Sequence, residues 1–544
     1  MIRSGHIDSF PRDNLPPADL WPEFTNLDTL GYPERLNAAA DLIDRNLAAG
    51  RGDHPALVTL TYQWTYDELA EKVDRIANVL TNELGIVPGN RILIRSPNNP
   101  MMAAVYLAVI KVGAVAVGTM PLLRTKELIY ILDKAQICLA ICDARLMDDL
   151  QAAMAGAPVL QQIVAYGDIQ DPNSLEFQMA AAEPTFTACD TASDDVCLIA
   201  FTSGTTGQPK GTMHFHRDLL AICDCSCGEI IRPEPDDRFI GSPPLAFTFG
   251  LGGLLLFPMS VGATAILIEL AAPNKLLEAI AQLKATVCFT APTAYRAMLP
   301  LVENSDLSSL KKCASAGENL PKATWDAWHA ATGLRILDGI GATEMLHTFI
   351  ASPDEEIKPG ATGRPIPGFE AKIVGPDGEN LAPGTPGRLA VRGPTGCRYL
   401  ADDRQTVYVV DGWNLTGDTY LEDADGYFWF QARSDDMIIT AGYNVAGPEV
   451  EGALLSHSAV VECGVVGAPD PERGQIVRAY VVLADGAAAG AELTKTLQDH
   501  VKAEISPYKY PRSISYVSQL PKTETGKLQR FKLRQMAAEG GTPA

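Results

Sequence analysis

Residues 194–222, DDVCLIAFTSGTTGQPKGTMHFHRDLLAI, decide the fold. An apolar run ending near Phe201 reads as a buried strand, a loop rich in glycines and hydroxyls follows, and a helix starts near His216. The loop therefore sits at a strand's carboxyl end, where open α/β sheets gather their ligands. Upstream, residues 66–84 (YDELAEKVDRIANVLTNEL) are spaced as an amphipathic helix, and residues 91–96 (RILIRS) as a short strand. Residues 101–118 and 127–143 each repeat helix then strand. This alternation predicts parallel sheets covered by helices.

Beyond about residue 360 the texture changes. Residues 359–393 (PGATGRPIPGFEAKIVGPDGENLAPGTPGRLAVRG) offer short strands separated by Gly-Pro and Asp-Gly turns, the mark of a compact β subdomain. Residues 447–470 and 474–486 give a helix and strands of a small α+β unit. The expected fold class is α/β: a large N-terminal domain, residues 1–434, of helix-covered sheets with a small β subdomain over about 360–434. A small, mobile α+β C-terminal domain, residues 435–544, follows, with the boundary at Ser434 and Asp435. The last five residues, GGTPA, read as a frayed tail.

Of 544 residues, 47% are hydrophobic and 20% charged, which argues for extensive burial and against disorder. Lysine and arginine number 44 against 66 acidic residues, a net charge of −22, so neither nucleic acid nor an anionic membrane is an expected partner. An anionic ligand needs a local site. Eleven scattered cysteines and a start without a signal-like apolar core point to a reducing cytoplasm. Cys223, Cys225 and Cys227 alternate in a spacing that suits chelation poorly, and they read as inert thiols. Residues 245–268 carry no charge, but Gly250, Gly252, Gly253, Pro258 and Gly262 break them into a short helix and a β-rich run of buried core.

The loop concentrates Thr202, Ser203, Gly204, Thr205, Thr206, Gly207 and Lys210 between strand and helix. Glycines let amide N–H groups approach phosphate oxygens, hydroxyls add donors and Lys210 offsets charge, so the loop suits a triphosphate. It is not a Walker A loop, because no glycine immediately precedes Lys210.

On these residues the chain resembles the adenylate-forming superfamily of acyl-CoA synthetases, firefly luciferase and peptide-synthetase adenylation domains. Asp338-Gly-Ile-Gly-Ala-Thr-Glu344 is similar to its aromatic-Gly-x-Thr-Glu motif and Thr416-Gly-Asp418 to its ribose motif. Arg433-Ser-Asp-Asp436 is similar to its hinge, and Pro521-Lys-Thr-Glu-Thr-Gly-Lys527 to its terminal lysine motif. The resemblance spans nearly the whole chain. It implies ATP and Mg2+, with Lys527 bridging an acid carboxylate and the α-phosphate, Glu344 holding the metal and Thr343 contacting phosphate. Asp418 would take the ribose hydroxyls beside Arg433, and Gly317 and Glu318, with Asp338, would flank adenine. Alone, Asp418 reads as a turn aspartate and Lys527 as an exposed tail lysine.

Within the superfamily, Ile340 stands where tyrosine is common, and the string from Gly339 to His347 is similar to that of benzoate-type aryl-CoA ligases. The implied aryl-acid pocket comprises Phe247, Phe249, Gly250, Gly339, Ile340, Gly341 and His347. If Glu344 lies on a helix, His347 shares its face and could meet an ortho substituent. The bland alternative is that both phenylalanines and His347 belong to the core. Residues 8–23 and Met213 to Arg217 look most like the 2-aminobenzoate-CoA ligase branch, with salicylate and benzoate open. His216 reads as a helix-entry residue, and His214 has no assigned role.

A second half-reaction needs the acyl-adenylate to meet a thiol. The resemblance implies rotation about Asp435, withdrawing Lys527 and opening a path for CoA past Gly442. The chain ends 17 residues after Lys527, which leaves no room for a fused carrier domain and favours free CoA over a carrier protein in trans. Rival readings are a stand-alone adenylation enzyme loading such a carrier, a luciferase-like oxygenase and a catalytically silent nucleotide-binding scaffold.

Overall fold

The computed structural model describes residues 2–168, 171–202, 209–433, 436–440, 443–470, 473–505, 507–522 and 527–539. Its first sheet has six strands in the spatial order Gln162–Tyr166, Leu139–Asp143, Arg91–Arg95, Val115–Thr119, Val196–Phe201 and Gly211–Phe215. The first five are parallel and the sixth is antiparallel to its neighbour. That sixth strand separates the loop from the helix, which begins at His216. Its buried backbone groups need partners on both sides. One side is the strand Val196–Phe201; on the other, Met213 N–H donates to Arg398 C=O at 2.8 Å and Leu400 N–H to Gly211 C=O at 2.8 Å.

The second sheet has nine strands, ordered Arg364–Pro365, Thr348–Ala351, Ile336–Gly341, Lys312–Ser315, Val287–Thr290, Arg238–Gly241, Thr264–Ile266, Pro55–Val58 and Gln63–Thr65. Its middle is parallel and both ends are antiparallel. The helix Pro100–Lys111 is apolar on nearly every face and is buried all round, as such a helix must be. Even Lys111 is buried, its ammonium paired with Asp74.

Residues 370–433 form an antiparallel five-stranded sheet. The C-terminal part packs the helices Gly447–Leu455, Ala491–Glu504 and Arg530–Ala538 on the strands Val460–Asp470, Gly474–Leu483 and Ser513–Tyr516. The fold is thus α/β, with a large N-terminal domain of sheets and helices and a smaller C-terminal domain. The uncharged stretch is broken into the helices Thr248–Leu251 and Phe257–Val261, joined by a π-helical turn, and the strand Thr264–Ile266. Among the described residues no helix is long and apolar enough to cross a membrane. Cys223, Cys225 and Cys227 lie buried in the π-helical turn Cys223–Ile231. Ser203 to Gly207, Ser434, Asp435, Gly442 and the GGTPA tail lie outside the described residues.

A buried ion pair ties the loop's exit strand to the β subdomain. Arg398 and Asp218 are both fully buried and paired, Arg398 Nε donates to Met213 C=O at 3.2 Å, and the guanidinium lies 3.9 Å from the centre of the Phe215 ring. Burial alone raises the Asp218 pKa, but Arg398 and His214 outweigh it and hold the carboxyl below its usual value. Arg398→Met is expected to destabilise the protein by about 3–5 kcal/mol, because it leaves a buried carboxylate unpaired. Urea midpoints measure this, and adding Asp218→Leu should recover part of the loss.

Candidate active site

The loop's two ends are pinned where the strand Val196–Phe201 stops. Thr202 N–H donates to Lys210 C=O at 2.9 Å, and Lys210 N–H donates to Thr202 Oγ1 at 3.2 Å. The Lys210 ammonium then turns to Tyr399 Oη at 2.5 Å and Glu344 Oε1 at 3.2 Å, while Tyr399 Oη donates to the same Glu344 oxygen at 2.5 Å. Tyr399 is a residue that the sequence reading missed. Its place is fixed by the pairing of residues 398–400 with the strand Gly211–Phe215, a contact across 187 positions (Thr212 with Tyr399) that no local pattern announces.

Glu344 sits in a single 3-10 turn, Thr343–Met345, inside the hairpin between the strands Ile336–Gly341 and Thr348–Ala351. His214, fully buried, donates its Nε2 hydrogen to Thr343 C=O at 2.8 Å and so fixes that turn from behind. Leu346 follows at φ 70°, a strained conformation for a bulky residue and a feature typical of functional sites. It ends the turn. The shared helical face expected for Glu344 and His347 therefore does not form: Glu344 points to Lys210 and Tyr399, whereas His347 enters a different cavity.

Gly317 follows the strand Lys312–Ser315 at φ 88°, a left-handed conformation that suits glycine. A Cβ there would lie 3.7 Å from both Cε and Nζ of Lys527, so the terminal lysine motif reaches the Ala314 to Glu318 segment. Lys527 keeps access to solvent through the cleft although protein surrounds it. Burial draws its pKa down, Glu318 opposes the shift and Arg433 adds to it. Asp418 and Arg433 face each other on adjacent strands, with Arg433 Nη1 donating to Asp418 Oδ1 at 2.8 Å. Burial raises the pKa of Asp418, and more strongly that of Asp338, whose Oδ1 has no hydrogen-bond partner. Further along the chain, Asp436 N–H donates to Arg433 C=O at 2.9 Å and its carboxylate pairs with Arg534. Arg296 Nη2 donates across the two parts of the chain to Val460 C=O at 3.0 Å.

A cavity of about 330 Å³, part of it open to solvent, lies among Phe249, Phe257, Phe289, Ala314, Gly339 and His347. His347 lies 4.5 Å from the Phe257 ring and 5.7 Å from the Phe249 ring, centre to centre. Neither of its ring nitrogens attains hydrogen-bond geometry, and burial pulls its pKa down to about 4 against the Phe249 carbonyl. Two glycines make this packing possible. A Cβ on Gly252 would lie 2.4 Å from His347 Cδ2, and one on Gly253 2.6 Å from the Phe289 ring. The sequence reading used these glycines only as breakers. Phe247, Gly250, Ile340 and Gly341 stand off the cavity wall. Phe247 precedes the short helix, and the space beside Gly250 is taken by the Pro244 carbonyl.

A single carboxylate beside a glycine- and hydroxyl-rich loop would suit a magnesium ion, which takes one or two carboxylates and completes its shell with phosphate oxygens and water. Glu344 meets that description. Among the described residues there is no group of three or more acidic, histidine or cysteine side chains that could hold a metal alone.

Residues 44–399 match the AMP-binding enzyme family and residues 449–527 the AMP-binding enzyme C-terminal domain. The chain is 37% identical to the benzoate–CoA ligase of Thauera aromatica, over 92% of this chain and 96% of that protein. The crystal structure of the anthranilate CoA ligase AuaEII in complex with anthranoyl-AMP has a TM-score of 0.89 at 35% identity, covering 94% of this chain and 98% of the other. A benzoate CoA ligase from Burkholderia xenovorans has a TM-score of 0.83 at 33% identity, covering 92% and 100%.

Gly252→Ala is expected to cost about 1–3 kcal/mol by driving a methyl group into the imidazole. Adding His347→Ala should relieve that clash, so the two substitutions give a coupled cycle in urea midpoints. Acid titration gives a second expectation. An unfolded histidine takes up a proton near pH 6.5, whereas folded His347 does so at about pH 4. Stability contributed by neutral His347 is therefore lost as pH falls from about 6.5 to about 4, by about 1.4 kcal/mol per pH unit at the steepest. His347→Gln should remove that slope.

Proposed function

The chain belongs to the AMP-binding enzyme family and is an acid–thiol ligase, and on that premise we propose that its acid is an aromatic carboxylate, 2-aminobenzoate or a related benzoate such as salicylate. One observation carries this reading: three phenylalanine rings and an imidazole without hydrogen-bond partners surround one cavity. Flat apolar walls suit an aryl ring, and an unpaired buried imidazole has reason to bond a polar ring substituent. An ortho amino or ortho hydroxyl group offers that partner.

The reaction has two halves. The carboxylate oxygen attacks the α-phosphorus of ATP and pyrophosphate leaves; the CoA thiolate then attacks the acyl carbonyl of the aroyl-AMP and AMP leaves. Two anions must meet in the first half, so positive charge has to be in place beforehand. Lys527 is assigned to the bridge between carboxylate and α-phosphate, a role supported by its approach to Gly317 and Glu318. Lys210 and residues 202–207 serve the phosphates, with Thr343 beside them. Asp418 takes the ribose hydroxyls, steadied by Arg433, and Gly317, Glu318 and Asp338 flank adenine. Glu344 would hold Mg2+, which supplies charge neutralisation on the phosphates when bound.

For the second half, the domain division at Ser434 and Asp435 is assigned as the hinge. Its rotation removes Lys527 from the cleft and brings the segment around Gly442 to the thiol's path.

With purified protein, ATP, Mg2+, CoA and a panel of benzoates, mass spectrometry is expected to find aroyl-CoA, with ortho-substituted acids favoured in kcat/KM. Aroyl-AMP that transfers only to a carrier protein would replace CoA as the acceptor. Lys527→Ala should reduce adenylation by at least about 100-fold while thioester formation from supplied aroyl-AMP persists. Equal loss of both halves would contradict the rotation.

A further inference from the structure

We propose that Tyr399 is a positioning residue for the ATP half-reaction: its hydroxyl holds the Glu344 carboxylate and the Lys210 ammonium at a set separation where the loop opens. The inference rests on reading Glu344 as the metal-facing carboxylate and Lys210 as a phosphate-facing cation.

The geometry is directional. Tyr399 Oη has one hydrogen, which it donates to Glu344 Oε1 at 2.5 Å, so its lone pairs are what Lys210 Nζ meets at 2.5 Å. One carboxylate oxygen is thus occupied by two donors, Tyr399 and Lys210 at 3.2 Å. The second oxygen is left to serve the metal.

Tyr399 is itself held firmly. Its side chain is buried, its N–H donates to Gln405 Oε1 at 2.9 Å, and its ring meets Tyr408 edge-on at 5.7 Å. Gln405 is anchored in turn, donating to Leu20 C=O at 2.8 Å and Cys397 C=O at 3.1 Å. Lys210 differs. It sits at the end of a four-carbon stem, 4.5 Å from the Tyr399 ring centre and 5.5 Å from that of Tyr408, held by cation–π attraction as well as hydrogen bonds. When a triphosphate enters, the lysine can turn to it without moving the tyrosine, and Glu344 keeps its orientation through the hydroxyl alone. Without the hydroxyl, both charged groups collapse onto each other as a simple ion pair that the nucleotide must break.

Tyr399→Phe tests this, because it keeps the ring and deletes only the oxygen. Calorimetric titration of Mg2+ into protein with ATP is expected to show half-saturation raised about 10- to 100-fold, the usual scale for removing a group that orients a metal ligand. The KM for ATP should rise with it, while KM for the aryl acid and thioester formation from supplied aroyl-AMP stay within about twofold, the melting temperature being recorded alongside. Equal loss in both half-reactions, or an unchanged Mg2+ requirement beside an impaired Glu344→Gln, would overturn the positioning role alone. If Glu344→Gln itself leaves the Mg2+ requirement untouched, the metal-facing reading of Glu344 falls and the proposal falls with it.

Discussion

A lysine from the C-terminal part of the chain reaches into the main body and stops beside a glycine that has no side chain to block it. The rest of the site makes sense around that approach of Lys527 to Gly317. Joining a carboxylate to a phosphate forces like charges together, and a cation in a partly dehydrated cleft counters this far better than one in water. The same surroundings that strengthen its field also lower its pKa, so the ammonium is held in a costly place. The Glu318 carboxylate opposes that shift.

The cluster of Lys210, Tyr399 and Glu344 meets a related problem by different means. An acidic residue next to a triphosphate would repel it, yet a carboxylate is the hard oxygen ligand that magnesium requires. Sharing Glu344 Oε1 between a phenol and an ammonium draws charge away from one side of the carboxylate. The turn that carries Glu344 is braced by His214 below and ended by the strained Leu346, so the carboxylate is aimed by backbone as well as by side chain.

The cavity beside His347 is shaped by what is missing. Gly252 and Gly253 have no side chains, which lets His347 and Phe289 close on the space from behind. Neither imidazole nitrogen attains hydrogen-bond geometry with the protein, a condition that favours a ligand able to supply a partner. Phe247 and Gly250, expected from sequence to line this space, instead shape the short helix that carries Phe249.

Much of the architecture could be read from local pattern. The alternation of residues 66–143 announced helix-covered parallel strands, and the turn-rich stretch after residue 360 announced a separate antiparallel sheet, because period and turn chemistry act over a few neighbours. Asp418 in Thr-Gly-Asp and the terminal Lys527 stood out only through their resemblance to family motifs, since alone they read as a turn aspartate and a tail lysine. Tertiary structure alone decided the extra strand Gly211–Phe215, the turn that parts His347 from Glu344, and the meeting of Tyr399 with Lys210. Those depend on segments far apart in sequence coming to share hydrogen bonds and volume, and a string of residues carries no local record of which distant group will fill the space beside it.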